Sequence, residues 1–328
     1  MYVMVTGGAG YIGSHTCKAL HLAGFQPVVF DNLSTGHQWA VKWGPLIKGD
    51  LCEIELLRRT ICEFQIRYVI HFAASAYVGE SISHPRQYFR NNVVNSLNLL
   101  DAMVAEGAAG IVFSSSCATY GIPGQIPISE IHPQIPVSPY GESKLFVERA
   151  LQWYGQAYGI NWAILRYFNA AGADPEGELG EEHDPETHLI PLLLQAALGG
   201  TRSFQLYGND YPTPDGTAIR DFVHVCDLAE AHVRALTNMI DGAGNLTLNL
   251  GTGKGYSIRE VAQQVESVVG VPIPIQEAPK RAGDPPALVA DTTRANAKGW
   301  TPRNSALENI IRTALQWRTQ HGVRIAEI

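Results

Sequence analysis

Tyr2-Val-Met-Val5 runs at once into Thr6-Gly-Gly-Ala-Gly-Tyr-Ile-Gly13, and the rest of the chain is organised by how this stretch is read. The first residues are apolar and β-prone, so they predict a strand. The glycines then satisfy G-x-G-x-x-G at Gly8, Gly10 and Gly13, and the wider G-x-x-G-x-x-G at Gly7, Gly10 and Gly13. Each spacing serves a purpose: a tight turn, a close approach of backbone to a pyrophosphate, and close packing of helix on strand. A helix to about Ala23 and a second strand, Pro27-Val-Val-Phe-Asp31, complete the unit. The helix opens at Tyr11-Ile12, where free N–H groups would face an anion. Asp31, at the end of the second strand, would accept hydrogen bonds from the ribose hydroxyls of an adenine dinucleotide and repel a 2′-phosphate, so NAD is expected rather than NADP.

Working outward, strand and helix keep alternating. A short strand near Leu46 to Lys48, a helix from about Ile54 to Phe64 and the buried strand Arg67-Tyr-Val-Ile-His-Phe72 come next. After Ser83-His84-Pro85 a long helical stretch is predicted to about Glu106, then the strand Gly110-Ile-Val-Phe113, a helix to about Tyr158 and the strand Asn161-Trp-Ala-Ile-Leu165. This repetition predicts an α/β fold with a parallel, doubly wound Rossmann sheet and ligands at the carboxyl ends of its strands. From Asn169 the composition shifts: residues 169–187 are rich in Gly, Pro, Asp and Glu and read as a long functional loop. Further irregular stretches, Tyr207 to Thr217 and Pro279 to Pro286, alternate with Asp221-Phe-Val-His-Val225, a helix to about Ile240, Leu246-Thr-Leu-Asn-Leu250 and helices near 257–269 and 304–320. The expected division is a dinucleotide-binding domain of residues 1–168 and 219–250, and a smaller, discontinuous α/β substrate domain of 169–218 and 251–328.

Composition narrows the function. With 328 residues, 45% hydrophobic and 17% charged, the chain reads as globular and long enough for two cores. The net charge of −7 and the lack of any Lys/Arg run argue against a nucleic-acid or anionic-membrane partner. Five scattered cysteines, Cys17, Cys52, Cys62, Cys117 and Cys226, form no C-x-x-C spacing, so neither a disulfide framework nor a zinc site is expected and a reducing cytoplasm fits. No apolar run reaches the length of a membrane span, and no basic leader precedes the first strand. Glu181, Glu182, His183, Asp184 and His188 lie close in sequence without a recognised ligand spacing, so they read as solvated charge and no metal is expected.

A second stretch carries the chemistry. Tyr140-Gly-Glu-Ser-Lys144 places a phenol and an ammonium four residues apart at the start of a helix, on one face. A free phenol titrates near ~10, and a fixed neighbouring cation makes its anion accessible, so the pair is a candidate proton-transfer device.

Taken together, Gly7-Gly-Ala-Gly-Tyr-Ile-Gly13, His71-Phe-Ala-Ala74, Val78-Gly-Glu-Ser81, Ser114-Ser-Ser116, Tyr140-x-x-x-Lys144, Leu165-Arg-Tyr-Phe-Asn169, Tyr207-Gly-Asn-Asp-Tyr211, Ile219-Arg-Asp221 and Asn249-Leu-Gly-Thr-Gly253 resemble the UDP-glucose 4-epimerases of the extended short-chain dehydrogenase/reductase superfamily. The resemblance runs in order over essentially the whole chain. It implies that Tyr140 takes the proton of the sugar C4 hydroxyl, that Lys144 holds the nicotinamide ribose and helps NAD lower the phenol's pKa, and that Ser116 hydrogen-bonds the C4 oxygen. Cofactor contacts are implied for Gly7, Gly10, Tyr11, Ile12, Gly13, Asp31, Asn32, Asp50, Leu51, Phe72, Ala73, Ala74, Asn91, Ser114 and Phe168. Substrate contacts are implied for Asn169, His188, Leu189, Tyr207, Arg220, Arg281, Asp284 and Leu288, the arginines serving the diphosphate. A homodimer pairing the helices near 84–106 and 138–158 is implied as well.

The departures are informative. Ala76 stands where many epimerases carry a cofactor-binding lysine, His188 where an Asn is frequent, and Leu288 where a bulky Tyr restricts some pockets against 2-acetamido sugars. Tolerance of UDP-N-acetylhexosamines is therefore expected. Sister dehydratases and decarboxylases carry acids in the slots held here by Cys117 and Ala118, so elimination and decarboxylation lack a proton donor. A UDP-xylose/UDP-arabinose 4-epimerase remains open, because Ala76-Tyr-Val-Gly-Glu-Ser81 resembles that branch as well. A non-catalytic NAD-binding module would be expected to have lost Tyr140, Lys144 or Ser116, and all three are present.

Overall fold

The computed structural model describes residues 1–281 and 283–321; Ala282 and residues 322–328, which fall in the expected second domain, lie outside the described residues. In chain order the first part comprises β1 (Tyr2–Thr6), α1 (Tyr11–Leu22), β2 (Gln26–Asp31), β3 (Leu46–Lys48), α2 (Ile54–Glu63), β4 (Tyr68–His71), α3 (Val78–Ser83), α4 (Pro85–Tyr88), α5 (Asn95–Ala105), β5 (Gly110–Ser116), α6 (Pro139–Tyr158) and β6 (Asn161–Tyr167). Then follow β7 (Asn169–Ala171), α7 (Leu189–Ala197), β8 (Phe204–Tyr207), β9 (Ile219–His224), α8 (Val225–Ile240), β10 (Leu246–Leu250), β11 (Gly255–Ser257), α9 (Ile258–Val269), β12 (Ile275–Ala278), β13 (Ala287–Leu288), α10 (Thr293–Ala297) and α11 (Leu307–His321).

The chain divides into two compact units. The first contains Met1–Gly121, Glu130–Tyr167 and Ala229–Leu250. Its seven-stranded sheet has the order β10-β6-β5-β4-β1-β2-β3, and every neighbouring pair is parallel. A parallel sheet covered on both faces has strands that read as continuous apolar runs; β5 is buried along its whole length. Met4, Val28, Phe30, Val69, Ile111 and Phe113 pack with Leu57, Ile61, Leu99, Met103, Val147 and Leu151 of the flanking helices. The helix that carries Tyr140 is delimited by local chemistry. Ser138 accepts a hydrogen bond from Gly141 N as N-cap, Pro139 opens the first turn, and Gly159 ends the helix at φ 73°.

The second unit contains Ile122–Ser129, Phe168–Leu228 and the chain from Gly251 on. Its central strand is β9, flanked by antiparallel β11 and parallel β13 and paired also with β7, while β8 and β12 form a separate parallel pair. Ile190, Leu193, Leu194, Phe222, Val261, Val265, Ile310 and Ile311 form its core. Ser257 and Glu260 close a reciprocal capping box at the start of α9.

Three expectations change. The sequence reading puts residues 219–228 in the first domain, but β9 hydrogen-bonds to β7, β11 and β13, all in the second unit. A strand belongs to the sheet it pairs with, and its own residues do not name that partner. Residues 122–129 also join the second unit, with Ile128 N donating to Val289 O at 2.8 Å. The single helix expected to end at Glu106 is interrupted by π-type turns over Phe89–Val94. There the buried Asn92 donates to Ser75 O and Ser143 Oγ and accepts from Ser75 N, bonds that pull the backbone off the regular ladder. Finally, β7 turns the start of the expected 169–187 loop into sheet. Among the described residues no helix is long and apolar enough to cross a membrane.

Candidate active site

The glycine turn has little spare room. A Cβ on Gly7 would sit 2.6 Å from Ala73 N, and φ there is +71°; a Cβ on Gly13 would sit 2.2 Å from Gly7 O. Both positions therefore demand glycine, one by conformation and contact, the other by contact alone. Helix α1 starts on Gly10 with no side-chain cap and no acid in its first turn, which leaves the positive end of the helix, with Tyr11 and Ile12, available to an anion. Asp31 accepts from Ala9 N at 3.0 Å and Leu33 N at 2.8 Å. Burial nonetheless outweighs those bonds and raises its carboxyl above the usual range, so further donors such as ribose hydroxyls would relieve it. Asn32 donates to Asp50 at 2.7 Å, and Asn95 to the other Asp50 oxygen at 3.2 Å. Asn32, Asn91 and Asn95 line one polar recess with Ser34, Ser75 and Arg90. These features fit an adenine dinucleotide.

Other implied cofactor residues are constrained. The Leu51 side chain is part of the apolar core, so only its backbone is available. Phe72 N and Ala73 N both donate to Thr6 O, and the Phe72 ring packs on His232 with centroids 4.6 Å apart. Ala74 follows on the same connection. Phe168 is buried in the second unit.

Tyr140, Lys144 and Ser116 come together in the first unit. Tyr140 is 8% exposed and Lys144 4%. Desolvation pushes the phenol's pKa up, Tyr167 adds to the rise, and a hydrogen bond with Ser116 opposes it. Lys144 donates to Ser114 O at 2.9 Å, its Nζ 5.9 Å from the Tyr140 ring centre. Burial lowers the Lys144 ammonium to about 7, with Glu148 pulling the other way. The lysine thus faces a carbonyl, and the protein alone leaves the phenol harder to ionise than in water. The Ser114 hydroxyl shares a 2.5 Å bond with Tyr167.

Two further groups carried no role in the sequence reading. Glu148 follows Tyr140 and Lys144 at the same four-residue step on α6. It is 1% exposed and takes Arg166 Nε at 2.9 Å and Nη2 at 2.6 Å, while Ser115 donates at 2.5 Å. Arg166 Nη1 donates to Tyr120 at 2.9 Å. The i+8 spacing was the available signal for Glu148. His71, fully buried, bridges Thr6 Oγ1 at 2.7 Å and Ser96 Oγ at 2.8 Å.

In the second unit several of the implied substrate residues lie on or beside β9. Arg220 donates to Asp284 at 2.5 Å, Tyr211 donates to the other Asp284 oxygen at 3.4 Å, and Leu288 pairs with Arg220 across β13 and β9. Arg281 lies over the Tyr207 ring at 4.1 Å. Asn169 opens β7 opposite Phe222. Asp221 accepts from Thr252, Gly253 and Ala290 backbone N–H groups at 2.8, 3.0 and 3.1 Å, which fixes the turn after β10. His188 and Leu189 stand at the N-terminus of α7. The loop before them corrects the expectation of solvated charge in part: Glu182 and Asp184 are exposed as expected, but Glu181 is buried, and Glu186 and His183 are only 9% and 17% exposed at their side chains.

Comparison with known proteins agrees with this arrangement. Residues 3–251 match the NAD dependent epimerase/dehydratase family. The chain is 48% identical over 321 residues, 98% of each chain, to a UDP-glucose 4-epimerase of Rhizobium meliloti (strain 1021). The UDP-glucose 4-epimerase from Brucella ovis in complex with NAD superposes with a TM-score of 0.94 at 52% identity, over 96% of this chain and 97% of that one. The UDP-glucose-4-epimerase of Stenotrophomonas maltophila with bound NAD and formylated UDP-arabinopyranose gives a TM-score of 0.94 at 38% identity, over 98% of both. With the glycine turn, the buried Tyr140–Lys144 pair and near-complete coverage all in agreement, the chain belongs to the NAD dependent epimerase/dehydratase family, in its UDP-glucose 4-epimerase branch.

Proposed function

We propose that this protein inverts C4 of a UDP-hexose, interconverting UDP-glucose and UDP-galactose. The observation that carries this reading is the Tyr140 phenol, buried, hydrogen-bonded to Ser116 and one helical turn from a buried Lys144. NAD, when bound, supplies a hydride acceptor that returns what it takes, so the inversion is redox-neutral. Tyr140 removes the C4 hydroxyl proton and returns it after the 4-keto sugar has turned over, and Ser116 hydrogen-bonds the C4 oxygen as charge develops on it. Lys144 orients the ribose hydroxyls. Because burial holds the phenol's pKa up, it is the positive charge of the bound cofactor, with Lys144, that makes the phenolate accessible. The first unit acts as the NAD-binding domain and the second as the UDP-sugar domain, where Arg220 and Arg281 take the diphosphate, Asp284 orients Arg220, and Asn169, Leu189, Tyr207 and His188 complete the site. With Cys117 and Ala118 beside Ser116, no acid stands ready for elimination.

Leu288 in place of a larger ring supports tolerance of UDP-N-acetylhexosamines. A pentose substrate is a second reading, favoured by the Stenotrophomonas relative crystallised with a UDP-arabinopyranose derivative. Work in galactose metabolism in the cytoplasm follows from the hexose reading. Phe89, Val94, Phe146 and Trp153 are 42%, 50%, 51% and 68% exposed on the α4–α5 and α6 faces; such an apolar surface supports a homodimer through these helices.

The test is purified protein without added cofactor on UDP-galactose, UDP-N-acetylgalactosamine and UDP-xylose, with the epimers separated by chromatography. Interconversion of UDP-galactose without net NADH is expected. Activity confined to UDP-xylose would move the assignment to the pentose reading, and no epimer from any of the three, even with NAD supplied, would end it.

A further inference from the structure

Eight residues of the second unit, Glu181-Glu-His-Asp-Pro-Glu-Thr-His188, bring two imidazoles and two carboxylates to one point. His188 Nδ1 lies 3.0 Å from Glu181 Oε1 and 3.2 Å from Glu186 Oε1. His183 Nδ1 lies 3.5 and 3.8 Å from the same two oxygens. The four ligand atoms are all within 4.8 Å of one another. In a tetrahedral zinc site with bonds of about 2.0–2.1 Å the donor atoms are separated by about 3.3 Å, the edge of the tetrahedron. The four imidazole–carboxylate distances, 3.0–3.8 Å, scatter around that edge, so small side-chain adjustments would bring the four donors to bonding distance of a shared cation.

We propose that Glu181, His183, Glu186 and His188 form a tetrahedral site for a zinc-class divalent cation, which ties the 181–188 loop to the start of α7. The donor set suits such a metal: two imidazoles, which give up a proton on binding it, with two carboxylates favour Zn²⁺ over Mg²⁺ or Ca²⁺, which take oxygen ligands. The surroundings suit it as well. Glu181 and Glu186 are 7% and 9% exposed at their side chains, and the loop is held against α11, since a Cβ on Gly180 would sit 2.1 Å from the Trp317 ring. Glu186 Oε1 also accepts from Thr187 N at 2.8 Å and His188 N at 2.9 Å, which orients the carboxylate as outer-shell bonds do at metal sites. Glu186 Oε2 is buried without a hydrogen bond, with Arg318 4.0 Å away. His188, at 41% the most exposed of the four, leaves a way in. The loop precedes α7, whose N-cap His188 makes no side-chain capping bond, so a metal bond through His188 would fix the helix start.

The rival arrangement has the same residues without a metal: a protonated His188 bridging two carboxylates, with Arg318 balancing the charge. Metal analysis separates the two. Purified protein is treated with a chelator, then titrated with Zn²⁺ and with Co²⁺, alongside His183→Ala and Glu181→Gln. We expect uptake of one Zn²⁺ per chain, a rise in melting temperature on zinc addition, and the intense visible absorption of four-coordinate Co²⁺. Both variants should lose all three while keeping the far-ultraviolet circular dichroism of the parent. No uptake by wild-type protein at micromolar Zn²⁺, equal uptake by the variants, or the weak absorption of six-coordinate Co²⁺ would each overturn the proposal. Should either variant fail to fold, the wild-type titration and its cobalt spectrum decide alone.

Discussion

Replacing Glu148 by Gln tests how the proton-transfer helix is held. Glu148 and Arg166 are 1% and 4% exposed, and three Arg166–Glu148 contacts of 2.6, 2.9 and 3.2 Å join them. The amide keeps the shape of the carboxylate but turns one acceptor into a donor that faces the guanidinium, stranding a buried cation. Breaking one side of a desolvated pair costs about 3–5 kcal/mol. With a urea m-value of roughly 3 kcal/mol/M, that is a fall of about 1–2 M in the unfolding midpoint. The same change removes the charge that holds Lys144 up against burial, so the lysine's pKa should fall below about 7 and the protonated fraction at neutral pH with it. Urea unfolding followed by circular dichroism reads the first effect, and the pH dependence of turnover the second. Glu148→Leu combined with Arg166→Met removes both charges and should recover much of the loss, because an apolar pair of similar volume needs no partner. A midpoint shift under ~0.3 M for Glu148→Gln would refute the buried-pair account; a double variant as unstable as the single would show that packing, not the stranded charge, had been lost.

Tyr140→Phe should abolish epimerisation while the protein still carries NAD; turnover at the parent rate would remove Tyr140 from its role. Gly13→Ala places a methyl 2.2 Å from Gly7 O, and we expect loss of the NAD that can be released on denaturation; an undiminished NAD content would contradict the close packing of α1 on the turn. His71 and His224 are held down, to about 3 and about 4, chiefly by burial. Their folded-state values lie below the unfolded value near ~6.5, so between pH 6.5 and 5 the unfolded chain takes up protons that the folded one refuses. Stability should fall with pH by up to about 1.4 kcal/mol per unit for each histidine, and His71→Asn should reduce the fall by about half; an unchanged pH dependence of the urea midpoint would exclude His71 as a contributor.

The order of elements up to Leu165 was legible because strand, glycine turn and helix each rest on local chemistry: apolar runs and the demand for glycine at positions 7 and 13. The pairing of Tyr140 with Lys144 was legible for the same reason, since one helical turn fixes it. What the sequence could not settle is what depends on partners far along the chain. Strand β9 looks no different in sequence whether it joins one sheet or the other, and only its hydrogen bonds to β7, β11 and β13 placed 219–224 in the second unit. The π-type turns of 89–94 arise from bonds between Asn92 and residues as distant as Ser143. Arg166 read as one letter of a motif until Glu148 and Tyr120 were seen around it. The loop of residues 181–188 is the plainest case: as a string it is a run of charge, which water ordinarily solvates, and only packing against α11 and the fold-back that brings Glu181 to His188 gathered four donors, with Glu181 buried and the other three half-buried. Short-range conformational preference was thus written in the sequence, while pairing, burial and the protonation of buried groups were decided by the tertiary structure, because each depends on which distant groups take the place of water.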